Sequence, residues 1–143
     1  MPMQKVNWGA VIVGAIAFWV WGAIWFTLLK VPYAAAVGFT ADQQAAYAAH
    51  PSPVPYILSF VAALVLSMGT AIALADSNQP GAAHGVQFGM FMGIIVFATN
   101  FLSITLFMMK PWSLWLIECG YVIIGMMIVG GIIGAWRKKA ATV

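Results

Sequence analysis

Residues 112–136 read WSLWLIECGYVIIGMMIVGGIIGAW, and within them only Glu118 carries a charge. At 1.5 Å of rise per residue such a run makes a helix of about 37 Å, longer than the roughly 30 Å hydrocarbon core of a bilayer. The run therefore reads as a membrane-spanning helix. Glu118 sits about five residues in from one end, roughly 8 Å below the mouth of its helix at the same rise. An ionised carboxylate there is expensive without a partner or water.

Working outward, three further apolar runs share this length: Asn7 to Leu29, Tyr56 to Ala75 and Gly85 to Met109, with the fourth from Ser113 to Trp136. Hydrophobic residues make up 64% of the chain and charged residues 6%, with a mean hydropathy of +0.98. A chain of 143 residues cannot bury that much apolar surface inside itself, which excludes a water-soluble globule. The expected fold is all-α: a single polytopic membrane domain, a bundle of four transmembrane helices with a long first extracytoplasmic loop. The first run continues through Trp19, Val20, Trp21, Ile24, Trp25 and Phe26 without a small-residue cleavage site, so it reads as a retained span rather than a signal peptide.

The connections set direction. Lys30 to Pro55 is long and polar enough to leave the bilayer. Its Thr40 to Ala49 segment has an N-cap threonine followed by Asp42 and Gln43, which predicts a short surface helix stopped by Pro51, Pro53 and Pro55. Asp76 to Ala83 reads as a turn, and Lys110-Pro111-Trp112 as a tight reversal that makes an antiparallel hairpin of the last two spans. Four spans put both termini on one side, with Lys5, Arg137, Lys138 and Lys139; Lys30 and Lys110 lie on the other. The positive-inside bias predicts cytoplasmic termini. Arg137, Lys138 and Lys139 directly follow an apolar run, so they read as an orientation signal with anionic lipid headgroups as a second role, and nucleic acid is not expected as a partner.

Small residues recur every fourth position: Gly85, Gly89 and Gly93 in the third span, Ser59, Ala63, Ser67, Ala71 and Ala75 in the second, Gly130 and Gly134 in the fourth. Such stripes let helix backbones approach in lipid. They serve packing within the chain or a contact with another protomer, so a homo-oligomer or larger membrane complex is an expected partner beside the bilayer itself. Of seven tryptophans, Trp8, Trp136, Trp112 and Trp115 fall near span ends as an aromatic belt. Trp21 and Trp25 instead share a face with Gly14, Phe18 and Gly22 near the middle of the first span. That face reads as core packing with bonded indoles, or as a flat pocket (Trp21, Trp25, Gly22) for a quinone, tetrapyrrole or lipid tail.

Trp8, Gly22-Ala23-Ile24-Trp25-Phe26, Gly38-Phe39-Thr40, Asn100, Phe107, Leu116-Ile117-Glu118-Cys119-Gly120-Tyr121 and the stretch from Gly130 to Trp136 resemble an uncharacterised bacterial membrane family, domain of unknown function 1761. The resemblance spans nearly the whole chain. It implies a four-span topology, placement in a bacterial inner membrane, and no established activity. Against the family's pattern, Glu118 stands where Asn is usual and Val122 where a His often follows the tyrosine, which makes Glu118 a local specialisation.

Folding Glu118 back across the Lys110 reversal brings it level with Ser103, with Asn100 about one turn deeper. These three form the candidate proton or cation site, with a hairpin-gluing hydrogen bond as the plainer reading. His50 and His84 fall on opposite sides, no metal-ligand spacing or catalytic motif occurs, and Cys119 is the only cysteine, so no metal, cofactor or internal disulfide is expected. Six methionines (Met90, Met92, Met108, Met109, Met126 and Met127) read as gap-fillers. The leading functional reading is a non-enzymatic helical module that self-associates or joins a complex. The alternatives are a small proton- or cation-linked carrier using Glu118, and a lipid or quinone binder.

Overall fold

A computed structural model describes residues 5–79 and 81–137. Lys138 and Lys139, two of the three residues of the expected orientation signal, lie outside these residues. Those described fold as helices α1 (Trp8–Leu28), α2 (Lys30–Val37), α3 (Ala41–Ala49), α4 (Val54–Ala75), α5 (Ala82–Met92), a π-helical segment (Gly93–Ala98), α6 (Thr99–Phe107) and α7 (Trp112–Ala135). Four stretches are long and apolar enough to cross a membrane: α1, α4, the continuous run from Ala82 to Phe107, and α7. Their bounds differ from the sequence expectation by one to three residues, the usual fraying of helix ends.

Local chemistry explains where the helices start and stop. Asn7 caps α1, its side-chain oxygen accepting from the Gly9 and Ala10 amides. Thr40 and Gln43 close a reciprocal capping box on α3. The Lys110 reversal is a Schellman turn. Met109 takes φ 52°, the Lys110 amide reaches back to Thr105, and the Met109 amide to Leu106. A non-glycine residue in that conformation costs roughly 1–2 kcal/mol.

Two elements departed from expectation. The long first loop holds a second helix, α2, which starts one residue beyond α1 and ends at Gly38 with φ 86°. The third span is not a uniform α-helix, because its middle winds as the π segment.

Helix α7 is the hub. Along one face α5 lies so close that a Cβ on Gly85 would stand 1.8 Å from the Gly130 carbonyl oxygen, and one on Gly89 2.1 Å from that of Met126. Gly134 is equally constrained, its Cβ position 2.4 Å from the Gly81 carbonyl oxygen. A second face of α7 takes α1, and α4 packs on both α1 and α7. The apolar core lies among these three, with Val11, Ala15, Phe18, Ala63, Leu74, Val129 and Ile133 buried. Ser67 is fully buried at the α1–α4 crossing, opposite Gly14, and donates to the Val11 carbonyl at 2.8 Å.

At the end where the chain begins, Arg137 binds the segment that leaves α4. Its guanidinium donates to the carbonyls of Ala75 (2.9 Å), Ser77 (3.0 Å) and Gln79 (3.3 Å), satisfying the open end of α4 and the following turn. Asn7 reaches the Trp136 carbonyl at 2.9 Å, Ser77 bonds His84 at 2.8 Å, and Lys5 pairs with Asp76 at 2.9 Å. Lys5 holds the exposed Asp76 carboxylate below the usual carboxylate range.

Candidate functional site

Glu118 projects from the second turn of α7, half-buried, and α2 lies over it. The Tyr33 hydroxyl of α2 faces the Glu118 carboxyl. Burial first, and the adjacent Glu118 second, push the Tyr33 hydroxyl up to about 12. Aromatic rings wall this corner: Tyr33 packs edge-on against Phe26 at 4.8 Å, Phe26 against Tyr121 at 5.0 Å, and Tyr121 against Phe18 at 5.1 Å. The ion pair among the described residues is Lys5–Asp76 at the opposite end of the bundle, so Glu118 has no cation bound to it there. Lys110 instead donates to the Val37 carbonyl, fastening the C-terminal end of α2 to the hairpin.

The Glu118, Asn100 and Ser103 group is not assembled as the sequence suggested. Asn100 and Ser103 are both exposed, and the hydroxyl that faces Glu118 is that of Tyr33. The π segment explains the change. Buried positions of the third span run Gly85, Gly89, Gly93, Ala98 and Thr105, with one step of five where an α-helix would take three or four. That extra residue turns everything after it by about one position around the helix axis. Asn100, seven residues past Gly93 and hence two α-turns along the glycine stripe, is carried from the inner face to the outer one. Thr99 and Trp115 stabilise the irregularity: the Thr99 hydroxyl bonds the Ile95 carbonyl, and the Trp115 indole donates to Ala98 at 2.9 Å. Trp115 thus has an internal partner in addition to its place near a span end.

The Trp21 and Trp25 face is filled by α7. Trp21 donates to the Tyr121 carbonyl at 3.1 Å and Trp25 to Ile117 at 3.0 Å, consecutive turns of the same helix. Gly22, Gly120 and Gly125 make room for rings: their Cβ positions lie 3.1 Å from Tyr121, 2.8 Å from Trp25 and 2.5 Å from Phe18. A cleft among the described residues lies elsewhere, between Lys5, Asn7, Leu74, Ile133, Trp136 and Arg137.

The small-residue stripes are engaged inside the chain. Gly85, Gly89 and Gly93 meet Gly130, Met126 and Ile123 of α7. Ala63 and Ser67 are buried, Ser67 against α1, while the exposed Ser59 accepts from the Trp19 indole at 3.1 Å.

What these stripes leave uncovered is the outward face of the third span. This is the least buried of the four spanning stretches. Gln87, Asn100 and Ser103 are all exposed on it, among Phe91, Ile95 and Phe107. Thr99 and Thr105 turn their hydroxyls back onto the carbonyls of Ile95 and Phe101, but the Asn100 amide has no such partner among the described residues. Sequence reasoning singled out Glu118 and Asn100, as members of one polar group. It missed Tyr33, hidden in a stretch read as loop, and the capping role of Arg137, whose signal was its place one residue beyond the end of the last span.

A family profile described as "Protein of unknown function (DUF1761)" matches residues 9–134. No curated protein and no solved structure matches the chain.

Proposed function

The chain belongs to the DUF1761 family, whose description assigns no activity, and from its geometry we propose that it is a non-enzymatic membrane module whose third span associates laterally with another membrane helix. The observation that carries this reading is Asn100, an exposed amide on a spanning helix. Within the run from Ala82 to Phe107 it lies seven residues from the end, about 10 Å at 1.5 Å per residue. That run is about 39 Å long, so Asn100 falls inside the hydrocarbon rather than at its rim. An amide without partners there costs several kcal/mol, a cost removed by a polar group on a neighbouring helix. Gln87 and Ser103 extend the same face toward its two ends. In this reading the termini lie in the cytoplasm of the inner membrane, with Glu118 and Tyr33 toward the opposite leaflet.

Photo-crosslinking in native membranes tests it. A benzophenone side chain placed in turn at positions 87, 100 and 103 is expected to capture protein. The same probe at Leu58, Val61 and Val65, exposed on α4, is expected to capture lipid. Lipid adducts alone at all six positions would defeat the proposal.

A further inference from the structure

We infer that the helix meeting this face is the same span of a second copy, with Asn100 placed against Asn100 across a two-fold axis normal to the membrane. The inference rests on the lateral-association reading and names its partner.

Three observations carry it. The first is the chemistry of the face. An Asn side chain offers two N–H donors and one carbonyl acceptor, so two such amides related by a two-fold axis satisfy each other reciprocally. An ionic or purely accepting partner would leave one half of the amide unbonded. The outward positions Gln87, Asn100 and Ser103 are all neutral and each is both donor and acceptor, so the whole polar line is self-complementary.

The second is symmetry. Copies of one chain insert in the same orientation, so their third spans run parallel. In a two-fold contact a residue near the axis meets its own counterpart. Asn100, Ser103 and Phe107 follow one another at three and four residues, the spacing of a seam between parallel helices.

The third is access. The cation nearest in sequence, Lys110, is turned onto the Val37 carbonyl of its own α2. The glycine stripe of the same span is sealed against α7. The second copy therefore approaches the side opposite the glycines, through bulky side chains with an amide at the centre. This differs from a close glycine crossing and places the polar contact, rather than backbone proximity, in control of pairing.

The test is disulfide trapping in membranes. Native Cys119 is buried and points into the chain's own core, so it is replaced by Ala and one cysteine is introduced at a time. On oxidation, Ser103→Cys, which lies on the same seam and leaves Asn100 in place, is expected to give a covalent dimer at several times the yield of Leu58→Cys, an exposed site on α4. In an unmodified background Asn100→Leu is expected to weaken the dimer by about tenfold, the effect of one interhelical polar contact in lipid, and Asn100→Gln to retain most of it. Equal, low trapping at positions 103 and 58 would overturn the second-copy assignment. If the photo-probe at position 100 then captured a protein of a different mass, lateral association would stand with a different partner. Lipid adducts alone would remove both.

Discussion

Glu118 and Tyr33 show how one half-buried acid is accommodated without a counter-ion among the described residues. The carboxyl sits under α2, the phenol faces it, and a chain of edge-packed rings from Phe18 to Tyr33 keeps the pair in register. Glu118→Gln preserves shape and can still accept from Tyr33, so unfolding in mild detergent is expected to change by less than about 1 kcal/mol. Tyr33→Phe removes the hydroxyl that faces Glu118 and is expected to loosen α2 by about 1 kcal/mol, read as faster amide exchange between Lys30 and Val37. The pH dependence has a defined sign. Docking raises the Tyr33 hydroxyl from 10.0 to about 12, so the docked form holds its proton more tightly. The stabilisation is complete below pH 10 and is lost as pH rises from about 10 to about 12. Ultraviolet titration of tyrosinate, with Tyr33→Phe subtracted, checks this: a Tyr33 midpoint near 10 would mean that α2 does not cover the hydroxyl.

Among the helices, glycines divide sharply by what surrounds them. Gly85 and Gly130 face each other's carbonyls at distances no Cβ can occupy, whereas Gly69 on α4 has nothing within 4 Å of its Cβ position. Gly85→Ala must push α5 off α7 and is expected to cost about 3 kcal/mol or more, at the upper end of overpacking penalties. Gly69→Ala is expected to be neutral or stabilising by roughly 0.5–1 kcal/mol, since it only removes glycine's excess backbone freedom. Steric-trap unfolding in bicelles separates the two. The same elements show what the sequence could reveal. Apolar run lengths disclosed four spans, Thr40 and Gln43 disclosed α3, and the four-residue glycine period disclosed a close helix contact. The π segment left no such mark: Gly93 to Ala98 is as apolar as an α-helix would be, and its extra residue is visible only in the backbone. One shifted residue was enough to turn Asn100 and Ser103 away from Glu118. Helix α2 was hidden for a related reason, since Pro32 near its start and Gly38 at its end resemble loop chemistry as much as helix boundaries.

Across the molecule, α7 collects its neighbours through different devices: glycine contact with α5, indole hydrogen bonds from α1, and Tyr33 from α2. Its last turn leads into Arg137, which closes α4 by three carbonyl bonds. Arg137→Ala leaves those acceptors open and is expected to lower stability by about 1.5–3 kcal/mol, the range for hydrogen bonds to a charged group. Arg137→Lys should recover only part, because an ammonium cannot span all three acceptors as a planar guanidinium does. Thermal unfolding of both variants in detergent ranks them. With the glycine stripes consumed internally, the outward face of the third span remains for assembly, and Asn100 decides whether it is used. Native mass spectrometry of the whole chain, released gently from micelles, addresses this most directly. Lateral pairing of two copies requires a species at twice the 15.3 kDa chain mass that largely disappears in Asn100→Leu. A wild-type spectrum showing the single chain alone, unchanged by the substitution, would contradict it.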